Sequence, residues 1–151
     1  MLGSGDKAPE FSLPGGDGED VSLSSLLRAG PLILYFYPAD FTPGCTREAC
    51  RIRDLHALIR KSGLNVVGVS PQPPASHRRF REQHELPFTL LSDCDKAVIK
   101  TYGVDGPLGI GVRRATFLVD PDSVIRGRVL ADFRIDRHEA FIRKAVDLDG
   151  S

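Results

Sequence analysis

The sequence predicts a single α/β domain over residues 1–151, with a mixed sheet flanked by helices. Three observations predict it. Between Leu32 and Tyr102, short apolar runs of strand length alternate with helical stretches, the pattern of parallel crossover units. Two further strand-like segments then follow one another across a tight Pro121-Asp122 turn, which adds an antiparallel hairpin. The composition can support a core, with 151 residues, 41% apolar side chains and a net charge of zero.

The elements follow in order. Glu10–Leu13 and Val21–Leu23 flank Pro14-Gly15-Gly16-Asp17-Gly18 and read as a small hairpin or edge element. Leu32–Tyr37 is continuously apolar and closed by Pro38, as a strand covered on both faces would be. From Gly44 to Lys61, Ala49, Ile52, Leu55, Leu58 and Ile59 recur at three- and four-residue spacing, which predicts an amphipathic helix with Gly63 as its stop. Leu64–Val69 reads as a second buried strand, Pro73–His84 as a polar helix, and Phe88–Leu91 as a short strand. Asp95–Tyr102 is expected to be helical and to end at Gly103. A glycine-rich loop (Gly103–Gly111) leads to strands Thr116–Asp120 and Val124–Leu130. Asp136 opens a last helix carrying Phe141, Ile142 and Val146. Parallel crossovers followed by a hairpin fit a thioredoxin-like sheet better than a doubly wound dinucleotide fold.

Several function classes are disfavoured. Twenty basic against twenty acidic residues argue against a nucleic-acid or polyanion binder. The longest apolar run is far too short to span a bilayer. Met1–Pro14 has neither the basic start nor the apolar stretch of a signal peptide, so the expectation is a cytoplasmic protein without membrane or nucleic-acid partners. Three cysteines, an odd count, argue against a disulfide scaffold. His56, His77, His84 and His138 lie at unrelated spacings, and no Cys/His set resembles a zinc site. Gly106–Gly111 follows no strand-to-helix pattern that would make a phosphate cradle, and reads instead as a mobile loop beside the site. No metal or cofactor is expected.

The informative segment is Pro38-Ala39-Asp40-Phe41-Thr42-Pro43-Gly44-Cys45-Thr46-Arg47-Glu48-Ala49-Cys50. It follows a buried strand and opens a helix, which puts Cys45 in or just before the first turn. There the free backbone N–H groups and the helix dipole favour a thiolate. Pro43 and Gly44 suit a tight entry turn, and the Thr42 hydroxyl is placed to donate to the sulfur or to a bound oxygen. Cys50 lies five residues further on. In an intact helix the two Cα atoms stand roughly 8.5 Å apart and about 140° around the axis. A disulfide needs Cα atoms within about 7 Å. Either Cys50 is a structural core residue, or oxidation requires the first turns to melt.

These residues carry a family resemblance. Pro38-x-x-x-Thr42-x-x-Cys45 resembles the active-site signature of peroxiredoxins, and the run Phe41–Cys50 resembles the Q type, also called bacterioferritin-comigratory proteins. Gly5-Asp6-Lys7-Ala8-Pro9-x-Phe11 is similar to the family's opening, Leu91-Ser92-Asp93 to its middle, and Arg114–Asp120 to the strand bearing its arginine.

The resemblance implies that Cys45 is the peroxidatic nucleophile, which attacks a hydroperoxide and becomes a sulfenic acid. It implies that Arg114 is the fixed cation beside the sulfur, that Thr42 and the Cys45 N–H hold the peroxide, and that Pro38 shields the thiol. Glu48 resembles the glutamate that orients the arginine. Cys50 takes the position of the Q-type resolving thiol, with thioredoxin or a similar dithiol as reductant and a monomer as the expected state. Cys94 has no counterpart role and reads as an incidental thiol disfavoured as thiolate by Asp93 and Asp95. The expected activity is a cofactor-free thiol peroxidase. A general disulfide oxidoreductase and a redox sensor or holdase are the alternatives.

Overall fold

The structure, a computed structural model, describes residues 1–150. Its elements are β1 (Ser12–Pro14), β2 (Asp20–Ser22), α1 (Leu23–Leu27), β3 (Leu32–Phe36), α2 (Pro43–Lys61), β4 (Asn65–Ser70), α3 (Pro74–Gln83), β5 (Thr89–Ser92), α4 (Ala97–Thr101), β6 (Ala115–Val119), β7 (Ile125–Leu130) and α5 (Ile135–Gly150). Strands β1 and β2 pair as a small antiparallel hairpin. The main sheet has the order β5-β4-β3-β6-β7. Strands β3, β4 and β5 are parallel, whereas β6 runs antiparallel to β3 and β7 antiparallel to β6. This is the mixed thioredoxin-like sheet that the alternation predicts.

The central strand shows why the sequence folds this way. All five residues of β3 are buried, and alternate side chains serve two cores. Leu32, Leu34 and Phe36 pack with Phe11, Leu23, Ile99 and Phe117 on one face. Ile33, Tyr35 and Tyr37 face α2, α3 and α5, against Ile52, Phe80 and Ile142.

Four elements differ locally from the expected ones. Leu23 opens α1 instead of continuing a strand, because the Ser22 hydroxyl accepts the Ser25 N–H and caps a helical turn. Helix α4 is shorter than Asp95–Tyr102. The carboxylates of Asp93 and Asp95 accept the N–H groups of Ile99 and Ala97, so both acids precede the helix. In α2, Leu58 is on the solvent side although its spacing fits the apolar stripe. The glycine-rich loop contains a 3-10 turn at Pro107–Gly109, tied down by Lys96 Nζ donating to the Gly109 carbonyl at 2.8 Å. Among the described residues no helix is long and apolar enough to cross a membrane.

Topology brings the predicted residues together. Because β6 is antiparallel to β3, its start lies beside the end of β3, with Phe36 paired to Ala115. The loop that leaves β3 toward α2 therefore meets the residues that enter β6. The register also sets which arginine faces it. Thr116 pairs with Tyr35 and shares its face, and Arg114, two residues earlier, points the same way toward α2.

Candidate active site

Cys45 is the third residue of α2, after Pro43 and Gly44. The first intrahelical bond runs from the Thr46 N–H to the Thr42 carbonyl, at 2.8 Å. The N–H groups before it are free of the helix ladder. Thr42 is the N-cap residue, yet its side chain makes no capping bond. Its hydroxyl donates instead to the Ala39 carbonyl at 2.9 Å. The expected donor to the sulfur is thus committed elsewhere, and Thr42 Oγ1 keeps its lone pairs to accept a hydrogen bond.

The guanidinium of Arg114 connects the site. Its Nη2 lies 3.3 Å from Cys45 Sγ, its Nη1 donates to Glu48 Oε1 at 2.7 Å, and its Nε donates to the Asp132 carbonyl at 3.2 Å. Cys45, Glu48 and Arg114 are 2%, 1% and 5% exposed. The buried sulfur therefore has a fixed guanidinium as its neighbour in hydrogen-bond range. Gly44 permits the approach, since a Cβ there would stand 3.2 Å from Arg114 Nη2. Arg113 turns the other way and pairs with Asp132 at 3.0 Å. Pro38, Thr42, Cys45 and Arg114 share one pocket of about 670 Å³ with Ile110, Val112 and Phe133.

Residues 4–128, which include this buried thiol, its arginine and the glutamate beside it, match the pattern of the AhpC/TSA family. The chain belongs to the AhpC/TSA family. It is 44% identical over 142 residues to a putative peroxiredoxin bcp of Coxiella burnetii, a match that covers 90% of this chain and 93% of that one. It is 41% identical over 138 residues to the chloroplastic peroxiredoxin Q of Oryza sativa subsp. japonica, covering 91% of this chain and 63% of that longer one. The crystal structure of peroxidoxin BcpB from Mycobacterium tuberculosis superposes with a TM-score of 0.92, at 35% identity and 98% coverage of both chains. As a peroxiredoxin, the chain is a thiol peroxidase.

Two residues of this peroxiredoxin site have no signal in the sequence. Asp132 follows β7, which ends beside Arg114 because Leu130 pairs with Ala115. Its carboxylate accepts the Arg114 backbone N–H at 3.0 Å while its carbonyl accepts Nε. His138 on α5 is 1% exposed and lies behind Glu48. Burial holds His138 below the usual imidazole range, against the pull of the Ala131 carbonyl. In the neutral ring Nε2 donates to Ala131 at 2.8 Å and Nδ1 accepts the Thr116 hydroxyl at 2.7 Å. Glu48 Oε2 stands 3.6 Å from that Nδ1 and has no hydrogen-bond partner among the described residues.

This half-satisfied carboxyl has a consequence for pH. Burial raises Glu48 from its ordinary 4.5 to about 7, against the charge and hydrogen bond of Arg114. The folded chain then holds the proton over a range in which the unfolded chain has lost it. The stability contributed by Glu48 therefore falls as pH climbs from 4.5 to about 7, and is level above that. Urea unfolding at several pH values should show wild type losing stability relative to Glu48→Gln across that window. A difference that stays constant with pH would mean that Glu48 is ionised throughout.

The remaining thiols lie apart. Cys50 sits half-buried at the start of the third turn of the intact α2 and is a free cysteine. Cys94 is exposed after β5, with its Sγ 3.9 Å from the Gln72 carbonyl.

Proposed function

We propose that this peroxiredoxin reduces hydrogen peroxide and organic hydroperoxides through a Cys45 sulfenic acid. Cys50 then condenses with it to an intramolecular disulfide, which thioredoxin or a similar dithiol reduces. The observation that carries this reading is the 3.3 Å approach of Arg114 Nη2 to Cys45 Sγ at the mouth of a pocket. The Cys45 thiolate attacks the terminal oxygen of the hydroperoxide. An S–O bond forms, the O–O bond breaks, and the departing oxygen leaves as water or an alcohol after taking a proton. Arg114 balances the negative charge as it moves from sulfur to oxygen, and the free N–H groups of the α2 head hold the substrate oxygens. Ile110 and Phe133, 74% and 90% exposed, line the pocket and suit the apolar tail of an organic hydroperoxide.

The resolving step follows from the uncapped head of α2. With no side-chain cap from Thr42 and no acidic residue in the first turn, that turn is the weakest part of the helix. Its opening lets Cys45 reach Cys50, which the intact helix forbids. Peptide mapping without reductant, after one equivalent of hydrogen peroxide or cumene hydroperoxide, tests the reading. A Cys45–Cys50 crosslink is expected with either oxidant. A Cys45–Cys94 crosslink would remove Cys50 as resolver, and a Cys45 left as free thiol would overturn the catalytic assignment.

A further inference from the structure

Among the described residues, Cys50 has one polar side-chain neighbour in hydrogen-bond range of its sulfur, and that neighbour is a base. His84 Nδ1 stands 4.0 Å from Cys50 Sγ, the outer limit for a sulfur contact. The sequence offers no hint of the pair, because 34 residues separate them. The fold fixes His84 from several sides. It ends α3, its N–H donates to the Phe80 carbonyl at 3.2 Å, and its ring stands edge-on to the Phe80 ring at 5.0 Å. Its carbonyl accepts Arg53 Nη1 at 2.9 Å. Arg53 lies one turn after Cys50 on α2, so the helix segment that carries Cys50 is tied to the end of α3 that carries His84. Arg53 is the charged group that α2 places against His84, and it bonds the carbonyl, leaving Nδ1 to the thiol.

We propose that His84 is the general base of the resolving step, an inference that rests on Cys50 being the resolving thiol. A thiol is a poor nucleophile and its thiolate a good one, so condensation needs the Cys50 proton removed. His84 Nδ1 takes that proton as Cys50 Sγ attacks Sγ of the Cys45 sulfenic acid. The S–S bond forms and the S–O bond breaks. The hydroxyl leaves with the bonding pair and is protonated to water, and no outside oxidant enters. Opening the first turn of α2 moves Cys45, whereas the Arg53 tie keeps Cys50 beside its base. A long contact in the resting state is expected for such a pair, which tightens as the reaction begins.

Rapid mixing with one equivalent of hydrogen peroxide, quenched by alkylation and read by mass spectrometry, separates the two chemical steps. Formation of the Cys45 sulfenic acid, in which His84 takes no part, is the internal control. In His84→Gln the following appearance of the Cys45–Cys50 disulfide is expected to slow at least about 10-fold. That is below the usual 10²–10⁴-fold for a general base, because a thiol also ionises unaided. Added imidazole is expected to restore much of the rate. With excess peroxide the variant is expected to accumulate more Cys45 sulfinic acid, because the sulfenic acid persists longer. Disulfide formation at the wild-type rate in His84→Gln would overturn the proposal while leaving Cys50 as resolver. A slow variant that imidazole does not rescue would show a structural role and also overturn it. Absence of the Cys45–Cys50 link in wild type would instead remove the reading on which the proposal rests.

Discussion

Arg114→Met is expected to slow oxidation of Cys45 by about 10²–10³-fold, or roughly 2.7–4 kcal/mol of transition-state stabilisation. The variant keeps the length and burial of the side chain but removes the charge 3.3 Å from Sγ. It also strands Glu48, whose carboxyl would face a buried setting with no cation and would take up a proton. Arg114→Lys distinguishes charge from geometry. One ammonium cannot meet Glu48, the Asp132 carbonyl and the sulfur along the three directions that the guanidinium serves at once. Lys is therefore expected to recover only part of the loss. Stopped-flow measurement of the reduced protein with hydrogen peroxide reads all three rates. An Arg114→Met rate within about threefold of wild type, far short of the loss expected for a charged donor at the reacting atom, would mean that the helix head alone activates the thiol.

Much of this site was legible in the chain because its residues are local. Pro38, Thr42, Cys45, Glu48 and Cys50 lie within one loop and the start of the helix that follows, so spacing alone brings them close to the head of α2. Arg114 needed the family register, since sequence gives Arg113 and Arg114 equal claim. The physical reason for the choice emerges in the sheet, where Arg114 shares a face with Thr116 and Tyr35. The sheet and the long α2 were legible from apolar periodicity. Helix α1 was not, because a five-residue helix carries too few turns to show a period. Asp132, His138 and His84 were out of reach for another reason. Each acts through a partner 18 to 90 residues away in sequence, brought near by strand pairing or by helix packing on the sheet. The Thr42 hydroxyl shows a finer limit, since its residue type was readable but the carbonyl that captures its proton was not.

The largest stability loss is expected from Asp40→Ala, in the loop that delivers Cys45. Asp40 is buried and accepts three hydrogen bonds: Tyr37 Oη at 2.6 Å, Ser76 Oγ at 2.7 Å and His77 Nδ1 at 2.7 Å. The other ring nitrogen of His77 donates to the Leu91 carbonyl at 3.0 Å. Both ring nitrogens of His77 thus face oxygen atoms, and Asp40 is the partner on the Nδ1 side. Removing this buried carboxylate costs about 3–5 kcal/mol, because the His77 ring and two hydroxyls all lose their partner. For a chain of this size that is a fall in Tm of roughly 6–20 °C. The cluster also clamps the loop between β3 and α2 onto α3 and β5, so the same variant should misplace Cys45 and slow its oxidation. Acid should reproduce the effect. Burial raises the Asp40 carboxyl, but the His77 hydrogen bond and charge, with Tyr37 and Ser76, bring it below its ordinary 3.8. Its stabilising contribution is therefore complete above that value and disappears as pH falls through the lower folded one. Thermal unfolding of wild type and variant at neutral pH and in acid checks both parts, with the difference in Tm shrinking as acid protonates the wild-type carboxylate. A neutral-pH loss below about 1 kcal/mol, well under the cost of breaking a buried pair, would show that the loop is held by the Phe41–Phe80 ring contact and the backbone instead.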